Sequence, residues 1–142
     1  MEKQTDLAAD AAVHGTSLQQ LISTLVNSSL PAALQNKTIV LNEVGQGVVL
    51  GVEKVKVIPI LKELLDTVIL NSRNGEIHIT ADRYQGIVVL QIQERNNYNG
   101  YALAFSVSSI EPEAVEIGGH IAIKDPRARV ATISFTFPDL AA

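Results

Sequence analysis

No cysteine occurs in this chain, which excludes disulfides, thiolate metal centres and a cysteine nucleophile. A surplus of positive charge is also missing. Eleven Lys and Arg stand against fifteen Asp and Glu, a formal net charge of -4, so electrostatics give no support for nucleic-acid binding. Long apolar runs are absent too. Stretches such as Val48-Val49-Leu50 fall far below the roughly 20 residues of a membrane span, and no membrane insertion is expected. The first ten residues, MEKQTDLAAD, are polar, of mixed charge and without a secretory signal. A cytoplasmic location is the resulting expectation. Internal repeats, low-complexity tracts and interdomain linkers are likewise not seen.

What remains is an ordinary globular composition. The 142 residues are 46% hydrophobic and 18% charged, enough for one domain with a buried core. Residues 1–15 read as an Ala-rich, acidic N-terminal arm, with two helical turns over 6–13 closed by Gly15. The domain is expected over 16–142. Thr16 reads as an N-cap with Gln19 as its capping-box partner. Leu18, Leu21, Ile22, Leu25, Val26 and Leu30 fall on one helical face, and Pro31 ends or bends that helix.

Short strands are expected over 38–42 and 48–52, joined by a glycine-bearing turn at 43–47. Helical period returns over 53–71 through Val57, Leu61, Leu64, Leu65, Val68 and Ile69. Pro59 suits that helix only if its regular part begins near Val57. From Glu76 the chain is mainly β. Ile77, Ile79 and Ala81 alternate with His78 and Thr80, which points His78 to solvent. Residues 87–92 are nearly all apolar, as in a strand buried on both faces. Residues 120–124 and 130–137 form two more strands around a turn at Asp125-Pro126-Arg127. This order predicts an α+β fold, a two-layer sandwich with one mixed sheet covered on one face by helices.

The most specific pattern lies in residues 60–82, ILKELLDTVILNSRNGEIHITAD. Glu63-Leu64-Leu65-Asp66-Thr67-Val68 resembles the N-box, E-L-x-x-N-A, of Bergerat-fold ATPases: histidine kinase catalytic domains, gyrase B, the heat-shock chaperones and MutL. Ile117-Gly118-Gly119-His120-Ile121-Ala122-Ile123 is similar to the kinase segment where a helix closes on Gly-Gly and starts a strand. Ala131-Thr132-Ile133-Ser134-Phe135-Thr136-Phe137-Pro138 is similar to the kinase terminus G-T-x-F-x-F-x-L-P. Taken in order, residues 17–138 resemble a histidine kinase ATPase-like domain.

The resemblance implies a nucleotide site, from which this chain departs motif by motif. Glu63 matches the acid that activates water in the gyrase branch. Thr67 stands where the family's Asn coordinates magnesium; a Thr hydroxyl binds magnesium in P-loops, but it is shorter and lacks the amide oxygen. Where D-x-G holds the adenine amino group, the chain reads Glu94-Arg95-Asn96, with a side chain in place of the Gly. The lid glycines correspond to Gly100-Tyr101-Ala102-Leu103-Ala104, or to a second register with Ala104 and Ser106 at the glycines. Neither supplies bare backbone amides to cradle phosphate. Few residues separate Glu94 from Gly100, so a lid of ordinary length has no room. The vestigial site implied is Thr67, Glu94, Asn96 and Gly100. Thr67 becomes a magnesium ligand, and Glu63 a catalytic base, only if Mg-ATP binds.

Other polar residues have plainer readings. Glu63 and Asp66 read as solvated helix-face carboxylates. His120 has no partner at metal-ligand spacing. His14 lacks the acidic follower and downstream Pro of the kinase H-box and reads as a helix-end residue. Arg83, Arg95, Arg127 and Arg129 fall in predicted turns as scattered surface charges rather than a phosphate patch.

The function expected from the resemblance is a degenerate histidine kinase-type ATPase-like domain, without cofactor. It would serve as a non-catalytic regulatory or interaction module in two-component signalling, its partner a response regulator or a kinase. The apolar stripe in residues 1–34 adds the expectation of a weak homodimer or a dock for a signalling protein; the alternative is that the stripe covers the domain's own core. Two alternatives remain at this point. One is a functional ATP-binding catalytic domain of a histidine kinase or anti-sigma-factor kinase; the other is an unrelated α+β binding protein.

Overall fold

The computed structural model describes residues 15–51 and 54–139. The helix expected over 6–13, together with His14, Val52 and Glu53, lies outside them. Strand β1 (Thr16–Ser17) leads directly into helix α1 (Leu18–Ser28). Its N-cap is Ser17 rather than Thr16: the Ser17 hydroxyl accepts the Gln20 amide at 3.3 Å, satisfying a first-turn donor that the helix itself cannot. Pro31 does not bend α1. It sits in the first turn of a second helix, α2 (Leu30–Gln35), where a missing amide costs nothing. Leu30 therefore leaves the α1 stripe and is exposed, whereas Leu18, Ile22 and Leu25 are buried and Leu21 and Val26 pack against the core.

Strands β2 (Ile39–Asn42) and β3 (Val49–Leu50) follow, then the long helix α3 (Lys54–Leu70). Contrary to expectation, Pro59 lies inside the regular helix. Pro59 and Val55, the residue one turn earlier, are both exposed, so water can serve the carbonyl that Pro59 leaves without a donor. Strands β4 (Glu76–Tyr84) and β5 (Ile87–Glu94), helices α4 (Gly100–Ser108) and α5 (Glu111–Glu116), and strands β6 (His120–Lys124) and β7 (Ala131–Pro138) complete the chain. Helix α5 closes on Gly118, whose φ of +81° suits glycine, and the chain turns into β6.

The main sheet has the order β2-β4-β5-β7-β6. Strands β2 and β4 are parallel and the other pairs antiparallel, so the sheet is mixed. Strands β1 and β3 form a separate antiparallel pair. On one face of the main sheet Ile77, Ile79, Val88, Leu90, Ile92, Ile133, Phe135 and Phe137 are buried. They share a single core with Leu61, Leu64, Leu65, Val68 and Ile69 of α3. The other face carries Thr80, Asp82, Gln91 and Ser134 and is open. Residues 87–92 are therefore not buried on both faces. Ile87 is 44% exposed and Gln91 is exposed, because helices cover only one side and β5 obeys the period of two.

Candidate functional site

Glu94 ends β5 on the helix-covered side of the sheet and is 3% exposed. Three donors from the chain itself converge on its carboxylate. Ser72 Oγ donates to Oε2 at 2.5 Å, and the amides of Glu76 and Asn96 donate to Oε1 at 3.1 and 2.9 Å. Ser72 is hydrogen-bonded in turn to Thr38 at 2.9 Å. Gly75 leaves the space this requires, since a Cβ there would stand 2.0 Å from Ser72 Oγ. Asn96 donates from Nδ2 to the Asn74 carbonyl at 2.9 Å. Glu94 and Asn96 are thus brought together, and both tie the turn before β4 to the end of β5.

Gly100 opens α4 against the loop between β6 and β7. A Cβ at this position would stand 1.5 Å from the Pro126 carbonyl oxygen. Asn97 fastens the same contact: its amide donates to Arg129 O at 2.8 Å, and Nδ2 donates to Pro126 O and Ala128 O at 2.8 and 2.9 Å. Gly100→Ala must push the two backbones apart, at a cost of about 1–3 kcal/mol. Urea denaturation measures it, and an unchanged midpoint would mean that the loop yields freely.

On α3, Glu63 and Thr67 are one turn apart on one side of the helix. Glu63 meets Glu113 of α5. Hydrogen bonding between the two carboxyls, partial burial and the Glu113 charge together raise the Glu63 pKa above the ordinary carboxylate range. Thr67 is half-buried, and its carbonyl accepts from Asn71 Nδ2 at 2.9 Å. Asp66 is more than a solvated carboxylate: it accepts from Ser29 Oγ at 2.5 Å and pairs with Lys62 at 3.1 Å. These three residues border a cavity of about 300 Å³ walled by Pro31, Ala32, Ile69 and Leu70. A smaller one, about 140 Å³, lies beside Gly118, Gly119 and Pro138. Neither is lined by Glu63, Thr67, Glu94, Asn96 or Gly100.

His78 corrects the alternation argument. Its side chain does leave on the open face, yet it is only 8% exposed. Glu43 Oε1 lies 2.8 Å from Nδ1 and Glu76 Oε2 lies 2.5 Å from Nε2. With an acceptor at each ring nitrogen the imidazolium is favoured. Hydrogen bonds to Glu76 and then Glu43 raise the His78 pKa above its usual 6.5, against burial and the Arg95 charge. Glu76 is lowered in return, chiefly by its bond to His78. The stabilisation from His78 is complete below about 6.5, the unfolded value, and is lost as pH rises through the raised folded value. That from Glu76 is lost at the acid end, as pH falls through its lowered value. His78→Gln should therefore flatten the fall of stability as pH rises from about 6.5 in thermal unfolding; an unchanged profile would place the cause elsewhere.

The remaining candidates scatter. His120 is exposed and lies 2.8 Å from Glu111. Arg83 is in β4, not in a turn, and its guanidinium binds Val49 O and, at 2.8 Å, buried Asp139. Arg95 lies 3.8 Å from Glu76, at the opposite end of β4, so no patch unites all four arginines. Among the described residues no group of three or more His, Cys, Asp or Glu is placed to hold a metal ion, and no helix is long and apolar enough to cross a membrane.

No family model matches the sequence, and no curated protein sequence matches it. Solved structures do match in shape. The chain is similar to the histidine kinase AdeS of Acinetobacter baumannii, with a TM-score of 0.73 and 11% identity over 89% of this chain and 66% of that one. It is similar to the catalytic domain of histidine kinase ThkA, at 0.69 and 16% over 87% of this chain and 93% of that one. Full-length ShkA in complex with AMPPNP gives 0.71 and 14%, over 90% of this chain and 32% of that one. ThkA in complex with the response regulator TrrA gives 0.62 and 15%, over 89% and 41%. The chain thus spans slightly under two thirds of AdeS and about a third of ShkA. Its fold is the histidine kinase-like Bergerat ATPase fold.

Proposed function

We propose that this domain is a non-catalytic, histidine kinase-like module that works through protein contacts in two-component signalling. The observation that carries the reading is the Glu94 carboxylate. The motif resemblance assigns it to the position of the adenine-binding acid, yet its oxygens already hold Ser72 Oγ and the amides of Glu76 and Asn96. An acid engaged in this way fits an adenine amino group poorly, because three of its about four acceptor sites are taken and the residue is 3% exposed. Thr67 in place of Asn, and Gly100 pressed on Pro126 O, agree with it. The residues present do not fit Mg-ATP.

The partner in this reading is a response regulator or a kinase, and the location is cytoplasmic. Support for the partner class comes from the fold it shares with ThkA, a kinase seen in complex with TrrA. The competing reading, a functional nucleotide-binding kinase domain, draws on the fold shared with ShkA, seen with AMPPNP. Isothermal titration of the full chain with ATP and magnesium separates them. No heat of binding up to millimolar ATP is expected; micromolar affinity would overturn the non-catalytic reading. Leu18, Ile22 and Leu25 are buried in the domain's own core, so their stripe does not offer a homodimer surface.

A further inference from the structure

Half of the six Tyr and Phe residues of this chain stand exposed within eight positions, 98–105. Tyr98, Tyr101 and Phe105 are 56%, 70% and 79% exposed. Tyr101 and Phe105 are one turn apart on α4 and so share a face. Large apolar side chains left in water on one patch mark contact surfaces, and Tyr, Phe and Arg are the residues that such surfaces favour. Arginine is present as well. The Arg127 guanidinium stands 5.7 Å from the centre of the Tyr101 ring, within cation–π range.

The charge around these rings runs against that of the whole chain. Residues 95–108 and 124–130 hold four of its eleven Lys and Arg, and one of its fifteen Asp and Glu. Arg95 is shared with Glu76 at 3.8 Å, while Lys124, Arg127 and Arg129 are exposed beside the single acid, Asp125. The two segments are also locked together. Gly100 touches Pro126 O, and three hydrogen bonds from Asn97 clasp the 126–129 loop. Aromatic rings and cations are therefore presented as one preformed surface, which lowers the ordering cost of binding.

We propose that the surface formed by Tyr98, Tyr101, Phe105, Arg127 and Arg129 docks an acidic protein segment bearing an apolar anchor. The anchor would lie on Tyr101 and Phe105, and its flanking carboxylates would meet Arg127 and Arg129, where bidentate geometry is available. A polyanion such as single-stranded nucleic acid is the lesser fit, because the chain outside this patch is strongly acidic and repels a long phosphate backbone. The proposal rests on reading the domain as an interaction module, but it requires nothing about the Glu94 site.

The test is a titration of the ¹⁵N-labelled full chain, followed by amide shifts. The probe is a synthetic peptide of alternating Glu and Leu with one central Phe; the same peptide with Lys for Glu is the control. Saturable shifts confined to residues 97–108 and 126–130 are expected, with at least tenfold weaker binding of the Lys peptide. Arg127→Glu with Arg129→Glu should weaken the Glu peptide at least tenfold, and Phe105→Ala severalfold, with the spectrum otherwise intact. Shifts elsewhere on the domain, equal binding of both peptides, or tighter binding of oligo-dT or anionic phosphatidylglycerol vesicles at the same residues would overturn it. A positive ATP titration with this docking intact would fail the non-catalytic reading alone.

Discussion

Glu94→Ala is expected to cost about 3–5 kcal/mol of folding stability, because several donors lose one shared acceptor. The substitution leaves Ser72 Oγ and the amides of Glu76 and Asn96 without their acceptor. Hydrogen bonds to a charged group are each worth about 1.5–3 kcal/mol. The total stays below their sum because the Asn96 amide is only part-buried and water can replace one bond. Glu94→Gln keeps a carbonyl oxygen and should lose less. Urea denaturation monitored by circular dichroism reads both variants. A loss under about 1 kcal/mol for Glu94→Ala would mean that the network is not structural and that the carboxylate is free to serve a ligand.

Leu65→Ala should cost about 2–5 kcal/mol, through lost transfer free energy and the cavity left behind. Leu65 is 1% exposed and belongs to the core that joins α3 to Val88, Leu90 and Ile92. Two rigid layers meet there, so neighbours cannot close the gap fully. Leu70, five residues on, is 62% exposed, and Leu70→Ala should change stability by about 0.5 kcal/mol or less. The contrast between the two variants, measured in one denaturant series, tests whether this face of α3 holds the sheet. Similar losses at both positions would assign the effect to helix propensity rather than packing.

Much of the architecture follows from local pattern. The stripe Val57, Leu61, Leu64, Leu65, Val68 and Ile69 is buried as its helical spacing requires, and Ile133, Phe135 and Phe137 alternate inward as a strand must. The helix ending at Gly118-Gly119 and the final strand occur where the kinase-like motifs place them. Local pattern and structure part where the pattern is ambiguous. A run such as Ile87-Val88-Val89-Leu90 reads the same for one covered face as for two, because apolarity does not say what lies opposite. By local rule Pro59 limits a helix, yet its exposed setting tolerates it inside α3.

Short-range sterics and side-chain period are written in neighbouring residues, so the elements and the inward face of most of them could be read along the chain. The chemistry of the candidate site could not, because its partners are remote. Glu43 reaches His78 across 35 positions, Ser72 reaches Glu94 across 22, and Gly51 reaches Asp139 across 88. The parallel pairing of β2 with β4, which sets Leu41 beside His78, turns a histidine on the open face into a buried one between two carboxylates. The turn at Ser72–Gly75 makes Glu94, which the motif resemblance alone would assign to a ligand, an internal acceptor. Folding brings these groups together, and hydrogen bonding at short range then settles which of them are left to meet another molecule.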